Sequence, residues 1–380
     1  MKIGINVSRL SGQRMGVGRY LEYMLKFWSG MLGPGEEVHA FLRHPVPPES
    51  ITHLNLGSAI KLRTASPVLT GALWENISLP LQTRDLDVFF GPSYTLPLLS
   101  RTPRKRVVAT HSVNEVQPGA SPWWYDQTYG RWYRLSALSA DAVIVPCAST
   151  ADLVANRYGV AKGKIVVVPQ GADISFRPLN DPDLDRRTRI ELVGADVPIV
   201  LFVGSLSVRR NIPNLIAAFA QAKKEKQLPH KLLLLGRNHD NLPLAQICAE
   251  HSITGSVVQT DGKFTHHGKL ISIYNAADVF VHPSSFEGWS MTTIEALACG
   301  TATIAANRGG LGEVARGHAY MVENPTVEAL QDALCTVLAD ETLRQELKRL
   351  ARQRGSAITW EDTTGQTLEV IRKVARDQPL

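Results

Sequence analysis

Two glutamates and the backbone between them are the most distinctive chemical groups in this sequence. Seven residues separate Glu287 from Glu295, and Ser290 between them is a candidate helix N-cap. The predicted helix begins with free N–H groups at Ser290, Met291, Thr292 and Thr293, beside two threonine hydroxyls, which can bind an anion. Carboxylates that accept from sugar hydroxyls, beside donors for a phosphate, are typical of a nucleotide-sugar site. The alternative is that both glutamates are solvated on an exposed helix face.

A second candidate phosphate site follows the predicted strand Ile199–Val203. The turn after this strand contains Ser205 and then Arg209 and Arg210. A guanidinium binds phosphate through two parallel hydrogen bonds, although Arg209 can equally be an ordinary surface arginine. Gly236 ends the next predicted strand of the chain.

A glycine-containing loop at residues 11–20 is a third candidate site. Gly16 and Gly18 allow close backbone approach, and the helix that follows favours anions at its N-terminus. The alternative is a dinucleotide site with Glu36 or Glu37 as the ribose-binding acid. That site needs a third glycine, and a leucine stands in its place.

Other candidate residues carry weaker signals. His111 follows the predicted strand Arg106–Thr110, where a lone histidine is either structural or catalytic. The sequence Asp85–Asp87 imitates a metal-binding D-x-D motif, but it precedes its strand. His266–His267 has no third ligand at a suitable spacing. We therefore predict no metal site.

The elements that position these residues are short β-branched runs alternating with helical patterns, which predicts parallel α/β architecture. The strands predicted in the first half are Lys2–Val7, Val38–Leu42, Val88–Phe90, Arg106–Thr110, Ala142–Val145 and Ile165–Val168; those in the second half are Ile199–Val203, Lys231–Leu235, Val257–Thr260, Val279–His282, Ala302–Ala305 and Ala319–Met321. Two series of six strands predict two facing doubly wound domains, with ligands in the cleft at the carboxyl ends of the strands.

Composition is that of an ordinary globular protein. Of 380 residues, 44% are hydrophobic, and the four cysteines form no C-x-x-C motif. The apolar stretches are too short to span a membrane, and the N-terminus lacks a secretory signal pattern. We expect a cytoplasmic protein.

The charge of the chain is unevenly distributed. Residues 1–170 hold 18 basic against 11 acidic residues, and the remainder holds 23 against 24. Such an excess favours nucleic acid, an anionic membrane or phosphorylated ligands. No nucleic-acid-binding motif accompanies it, so we expect no nucleic-acid partner.

The segment Phe-Glu-Gly…Glu-Ala-Leu-Ala-Cys-Gly resembles the Glu-x7-Glu signature of the retaining glycosyltransferases of family four, mannosyltransferases among them. These enzymes have the GT-B fold, two facing Rossmann-like domains. The resemblance implies that Glu287 contacts the donor sugar and that Glu295 holds the ribose hydroxyls. Where the family commonly has Phe-Gly-Leu-Pro, this chain has Trp289–Thr292.

The resemblance extends to the other candidate residues. Arg210 stands where the family has a lysine that neutralises the leaving diphosphate, with Arg209 beside it. Ser205 replaces an arginine of the family pattern. His111 matches a histidine that contacts the donor sugar, although Ser112 replaces the aspartate that usually follows.

The remaining matches are glycines and domain boundaries. Gly16 and Gly18 lie in a loop that resembles the family's first glycine-rich loop, which touches the donor phosphate and the acceptor. Gly236 matches a glycine near the nucleotide. The implied domains are residues 1–170 on the acceptor side, residues 171–357 for the donor, and a helix in residues 358–380 that crosses back to the first domain.

The function implied by the resemblance is retaining, metal-independent transfer from a nucleoside diphosphate sugar to a glycan or lipid-linked acceptor. Mannose from GDP-mannose is the favoured donor. No cofactor is expected besides the donor, which is a co-substrate. The alternatives are a GT-B nucleotide-sugar epimerase and a non-catalytic sugar-binding relative.

A membrane hypothesis follows from the charge. The basic residues of the first half include the run Arg101–Arg106, and Trp123–Trp124 follow it. Basic clusters favour anionic leaflets, and tryptophan favours the membrane interface. We therefore expect peripheral docking on the inner membrane face, against the alternative of a soluble acceptor.

Overall fold

The chain folds as two α/β units, each built on one parallel sheet. The computed structural model describes residues 1–11, 16–47, 49, 51–99, 105–113, 125–261 and 267–380. Residues 1–170 and 360–380 form the first unit, and residues 171–359 form the second.

The first unit has a seven-stranded sheet in the order β3-β2-β1-β4-β5-β6-β7, with every neighbouring pair parallel. Its strands are β1 Lys2–Asn6, β2 Glu37–Leu42, β3 Ile60–Thr64, β4 Val88–Gly91, β5 Lys105–Ala109, β6 Ala142–Val145 and β7 Ile165–Val167. Its helical segments are Ser8–Leu10, Val17–Met31, Thr52–Leu54, Gly71–Leu73, Trp74–Ser78, Leu79–Leu81, Asp126–Gly130, Arg131–Ser139, Ala148–Leu153, Val154–Tyr158, Lys162–Lys164 and Trp360–Ala375.

The second unit has a six-stranded parallel sheet in the order β10-β9-β8-β11-β12-β13. Its strands are β8 Ile199–Val203, β9 Lys231–Leu235, β10 Val257–Thr260, β11 Val279–His282, β12 Ala302–Ala306 and β13 Tyr320–Val322. Its helices are Pro182–Val193, Ile212–Lys226, Leu244–Glu250, His267–Ala276, Met291–Ala298, Gly309–Ala315, Val327–Ala339 and Glu341–Ser356.

The predicted class of two Rossmann-like parallel α/β domains is confirmed, and every predicted strand is found within one residue of its expected bounds. The prediction of six strands in the first half was wrong, because β3 is a seventh. This strand lies at the edge of the sheet, and most of its residues are partly or fully exposed. Because charged residues interrupt it, β3 lacks the continuous apolar run by which a buried strand is recognised from the sequence.

The centre of the second sheet places two loops side by side. β8 and β11 are parallel neighbours, so the loops that follow them, residues 204–211 and 283–290, leave the same edge of the sheet. The strand order also reverses between β8 and β11. Ligands of doubly wound folds bind at such a switch point, outside the carboxyl ends of the strands.

The last helix belongs to the first unit because its side chains pack there. The Tyr23 ring stacks on Trp360 with centroids 4.6 Å apart, and Trp28 Nε1 donates to the Thr364 carbonyl at 2.9 Å. Among the residues that the structure describes, no helix is both long and apolar enough to cross a membrane.

Candidate functional site

The Glu287 carboxylate is the centre of a polar cluster in the second unit. Arg210 Nε and Ser284 Oγ donate to its Oε1 oxygen at 3.0 and 3.3 Å. Arg209 Nη1 and His282 Nε2 lie 3.4 and 3.6 Å from the same oxygen. Within the described part of the chain, these contacts all fall on Oε1, so Oε2 is left to accept hydrogen bonds from a ligand. We call these five residues the Glu287 cluster.

The charge of this carboxylate is fixed by its surroundings. Glu287 is only 9% exposed, and burial alone would raise its pKa. The nearby Arg210, His282 and Arg209 outweigh burial and lower the pKa from 4.5 to about 2. Glu287 is therefore a buried, ionised acceptor at neutral pH.

The loops after β8 and β11 hold each other in place. Ser285 donates both its backbone N–H and its hydroxyl to the Arg209 carbonyl, at 3.1 and 2.8 Å. Asn211 Nδ2 donates to the Pro283 carbonyl at 2.8 Å. The arginines are thus fixed on one loop against the glutamate on the other.

Glycines allow the loops after β8 and β9 to approach closely. A Cβ atom at Gly236 would lie 1.9 Å from the Gly204 carbonyl oxygen, and a Cβ at Gly204 would lie 2.3 Å from Arg210 Nη1. The same Nη1 donates to the Ser205 carbonyl at 3.4 Å. Ser205 therefore meets Arg210 through its backbone, which a substitution of its side chain leaves intact.

The helix Met291–Ala298 begins at its predicted cap. Ser290 Oγ accepts from the Thr293 N–H at 3.3 Å. The N–H groups of Met291 and Thr292 precede the first bond of the helical ladder and have no partner within the helix. This end of the helix follows the Glu287 loop directly, so its positive dipole adds to the charge of the two arginines.

Glu295 lies one turn into the same helix and is 1% exposed. The Tyr274 hydroxyl donates to its Oε2 at 3.4 Å. Glu287 and Glu295 are both buried, so the interpretation of a solvated pair on an exposed helix face was wrong.

His111 of the first unit is held by two hydrogen bonds. Gln170 Nε2 donates to its Nδ1 at 2.8 Å, and its Nε2 donates to the Pro92 carbonyl at 2.7 Å. The rings of Tyr20 and Tyr94 pack edge-on against it. Burial lowers the pKa of His111, so the ring is neutral. Because both nitrogens are engaged, the ring binds a sugar only if one of these bonds opens.

The first glycine loop is described only from Gly16 onward, and residues 12–15 lie outside the described residues. Gly16 has φ 32° and caps the helix Val17–Met31, and Gly18 is buried in the first turn of that helix. Its chain neighbours aside, no atom of the described residues lies within 4 Å of the position that a Cβ atom at Gly16 would take.

Two family models match successive parts of the chain. Residues 16–176 match a model described as Glycosyltransferase Family 4, and residues 186–354 match one described as Glycosyl transferases group 1. Together they account for most of the sequence. The chain is a member of glycosyltransferase family four.

Three curated proteins that are similar to this chain are named as glycosyl-transferring enzymes or a related synthase. It is 29% identical to D-inositol 3-phosphate glycosyltransferase of Corynebacterium urealyticum over 62% of this chain and 57% of that protein. It is 29% identical to alpha-maltose-1-phosphate synthase of Mycolicibacterium smegmatis, over 71% and 73%. It is 26% identical to MMP alpha-(1->4)-mannosyltransferase of Mycolicibacterium hassiacum, over 68% and 62%. The chain thus spans little more than half the length of the first of these relatives.

Solved structures confirm the GT-B fold of the chain. Anabaena HepE, solved in complex with UDP and glucose, superposes with a TM-score of 0.79 at 17% identity, covering 98% of this chain and 100% of that one. Sucrose-phosphate synthase of Thermosynechococcus elongatus gives a TM-score of 0.78 at 21% identity, covering 99% and 100%.

The two acids of the alternative dinucleotide site, Glu36 and Glu37, are already paired. Glu36 accepts from Arg372, and Glu37 pairs with Lys61 at 2.7 Å. Neither carboxylate is therefore available as the ribose-binding acid of a dinucleotide site.

The candidate metal ligands have other surroundings. Asp87 Oδ2 accepts from the Lys2 backbone N–H at 2.7 Å, so this residue has a structural role immediately before β4. His266 and the side chain of His267 lie outside the described residues. Across the ranges that the structure describes, no three histidine, cysteine, aspartate or glutamate side chains form a metal-binding group.

Three residues of this chain that contact Glu287 or His111 were not singled out from the sequence. They are His282 and Ser284 around Glu287, and Gln170 beside His111. One signal was present: His282 is a polar residue at the end of a buried strand, immediately before the Glu287 loop. The carboxyl end of a central parallel strand is where such a residue has functional meaning.

Proposed function

We propose that this protein is a retaining, metal-independent glycosyltransferase that uses a nucleoside diphosphate sugar. The favoured reaction moves mannose from GDP-mannose to a glycan or lipid-linked acceptor. The observation that carries the proposal is the Glu287 cluster: an ionised carboxylate with one open oxygen, beside two guanidinium groups. The mannosyltransferase among the relatives supports mannose, and the UDP complex of HepE supports a nucleotide-linked donor.

The proposed chemistry follows from the charges of these groups. The acceptor hydroxyl oxygen attacks the anomeric carbon on the face from which the diphosphate departs. The bond from that carbon to the phosphate oxygen breaks, and the hydroxyl proton passes to the leaving phosphate. Arg210, Arg209 and the N–H groups of Met291 and Thr292 stabilise the growing negative charge.

The other residues orient the donor in this proposal. Glu287 Oε2 accepts from a hydroxyl of the donor sugar, and Glu295 accepts from the ribose. Gly204 and Gly236 let the backbone approach the nucleotide closely. In the first unit, Gly16, Gly18 and His111 serve the phosphate and the sugar.

The test is a donor panel. The purified protein is incubated with GDP-mannose, UDP-glucose and a dTDP-sugar, with and without EDTA, and release of nucleoside diphosphate and the anomeric configuration of the product are measured. We expect release that EDTA leaves unchanged, fastest with GDP-mannose, and a product with the donor's configuration. Loss of activity in EDTA with rescue by a divalent ion, or an inverted product, contradicts the mechanism; an epimerised donor sugar supports the epimerase.

A lipid-linked acceptor is supported by an apolar row on the first unit. Leu73, Ile77 and Leu81 recur every four residues along one helical segment, and each is 42–54% exposed. Residues 1–170 also carry the positive excess of the chain. Of the basic run, Lys105 is already paired with Asp377, whereas residues 101–104 and Trp123–Trp124 lie outside the described residues.

Vesicle co-sedimentation tests this extension. We expect the protein to bind vesicles with anionic lipid at low salt and to release them at high salt. The double variant Leu73→Ser/Ile77→Ser loses binding, whereas Ile174→Ser, an 89% exposed control in the second unit, does not. Equal amounts of all three proteins in the supernatant at low salt would show that this surface does not dock on membranes.

A further inference from the structure

His282 is a buried histidine with one unused nitrogen. It ends β11, and its side chain is 1% exposed. Its Nδ1 lies 3.1 Å from both Ser290 Oγ and Thr293 Oγ1. Its Nε2 is buried and has no hydrogen-bond partner among the described residues, yet it lies 3.6 Å from Glu287 Oε1.

The Glu287 carboxylate selects the tautomer of this ring, and the neighbouring hydroxyls accommodate it. Ser290 and Thr293 together carry two hydroxyl protons, and their oxygens are 2.8 Å apart. One proton joins the two oxygens, and the other is free to be donated to Nδ1. The proton of His282 then stays on Nε2 and faces the carboxylate, whereas the opposite tautomer would set two lone pairs against each other. Burial lowers the pKa of His282, so the ring is neutral.

Donor binding changes what the Glu287 carboxylate needs. Before the donor binds, Arg210 Nε is the closest donor to Glu287 Oε1, at 3.0 Å. In the reaction that we infer, Arg210 turns toward the diphosphate. A buried carboxylate that loses a charged partner needs another hydrogen-bond donor, and the Nε2–H of His282 is buried beside the same oxygen.

We propose that His282 is a positioning residue that donates its Nε2–H to Glu287 Oε1 when Arg210 turns to the donor diphosphate. This inference rests on the proposed function. The bond holds Glu287 with Oε2 toward the sugar. Ser290 and Thr293 contact the same ring. The bond from His282 therefore also fixes Glu287 relative to the N-terminus of the helix Met291–Ala298.

Three substitutions of His282 test the contacts of Nε2 and of Nδ1 separately. His282→Gln places an amide N–H near the position of Nε2 and keeps a donor toward Glu287. His282→Asn keeps an amide near the position of Nδ1 but does not reach Glu287, and His282→Leu removes both contacts. His318→Asn is the matched control, because His318 belongs to the same unit and its Nδ1 contacts the Leu350 carbonyl instead.

The measurements are binding of the nucleoside diphosphate alone, kcat and KM for the nucleotide sugar, and the pH profile of kcat. A bond to a charged group corresponds to roughly a tenfold to hundredfold change. We expect kcat/KM to fall by about that factor in His282→Asn and His282→Leu and to recover in His282→Gln. The loss should be larger for the nucleotide sugar than for the nucleoside diphosphate alone, because only the sugar uses Glu287 Oε2.

The pH profile separates positioning from a structural role. The charged or titratable groups that face Glu287 are Arg209 and Arg210 from the loop after β8 and His282 from β11. A carboxylate without its donor takes up a proton more readily, so the acid limb of kcat moves to higher pH in His282→Asn. His282→Gln and His318→Asn should keep the wild-type limb.

Three results would overturn the inference. One is an unchanged kcat/KM and acid limb in His282→Asn and His282→Leu. Another is an equal loss of affinity for the nucleoside diphosphate and for the nucleotide sugar, which indicates a structural role. A wild-type protein that binds no nucleotide sugar removes both this inference and the proposed function, and that result is visible before any variant is made.

Discussion

At the residue scale, Arg210 has two partners, one in the structure and one in the proposed reaction. Its Nε donates to Glu287 at 3.0 Å, and this pair neutralises a buried carboxylate. In the proposed reaction the same guanidinium neutralises the leaving diphosphate. Arg210 differs in this respect from Arg209, which also donates to the Phe286 carbonyl and is thereby held to the loop after β11.

Arg210→Ala should lower kcat by about a hundredfold or more, because charge on the leaving phosphate grows toward the transition state. KM should change far less. Initial rates with the preferred nucleotide sugar measure both. Arg349→Ala is the control, since Arg349 is exposed and its partner among the residues that the structure describes is Glu346 on its own helix. A loss confined to KM would assign Arg210 to ground-state binding alone.

Glu287→Gln should change how stability depends on pH. The folded pKa of Glu287 is about 2, below its ordinary value of 4.5, so the carboxylate stabilises the fold above pH 4.5 and loses that contribution as pH falls toward 2. The difference in free energy of unfolding between wild type and Glu287→Gln should shrink by about 3 kcal/mol over that range. Urea titrations at pH 6, 4 and 3 measure it. A difference that stays constant with pH would show that the carboxylate is not ionised by its neighbours.

At the element scale, the sequence predicts most strands because their buried positions form continuous apolar runs. Val203 and His282 end two such strands in the second unit. The edge strand β3 escapes prediction because solvent replaces one packing partner. The sequence also marks Arg210 and Glu287 separately. Their ion pair depends on β8 and β11 being neighbours, which no local pattern encodes.

Gly236→Ala should destabilise the second unit by about 3 kcal/mol or more. The new Cβ would lie 1.9 Å from the Gly204 carbonyl oxygen, and the backbone at φ 155° suits glycine. The loop of Arg209 and Arg210 must then move, so kcat/KM should fall as well. Thermal unfolding and initial rates measure the two effects.

Gly268→Ala is the matched control for this substitution. Gly268 lies in the first turn of a helix, and no described residue outside that helix comes within 4 Å of its Cβ position, so alanine should raise stability by up to about 0.5–1 kcal/mol. Equal behaviour of the two variants would show that close approach at Gly236 has no energetic consequence.

At the scale of the whole molecule, the fold depends on the end of the chain returning to its beginning. Arg372 donates through Nε and Nη2 to the two oxygens of Glu36 at 3.0 and 2.5 Å, and Nη2 also donates to the Met31 carbonyl. Glu36 is 8% exposed. Residues 336 positions apart are thus joined by a bidentate ion pair within the first unit.

Arg372→Ala should destabilise the first unit by about 3 kcal/mol, because the buried Glu36 carboxylate loses both of its charged hydrogen bonds and keeps the more distant Arg376, 3.8 Å from Oε1. Arg372 lowers the pKa of Glu36, so this stabilisation is present above the ordinary pKa of a glutamate and is lost as pH falls below it. The wild-type advantage in urea unfolding should therefore be large at pH 7 and shrink at pH 3. Arg349→Ala, in an exposed pair, should leave the free energy of unfolding nearly unchanged at either pH. If Arg372→Ala costs no more than this control at pH 7, the last helix is held by its apolar contacts with Tyr23 and Trp28 and not by the ion pair.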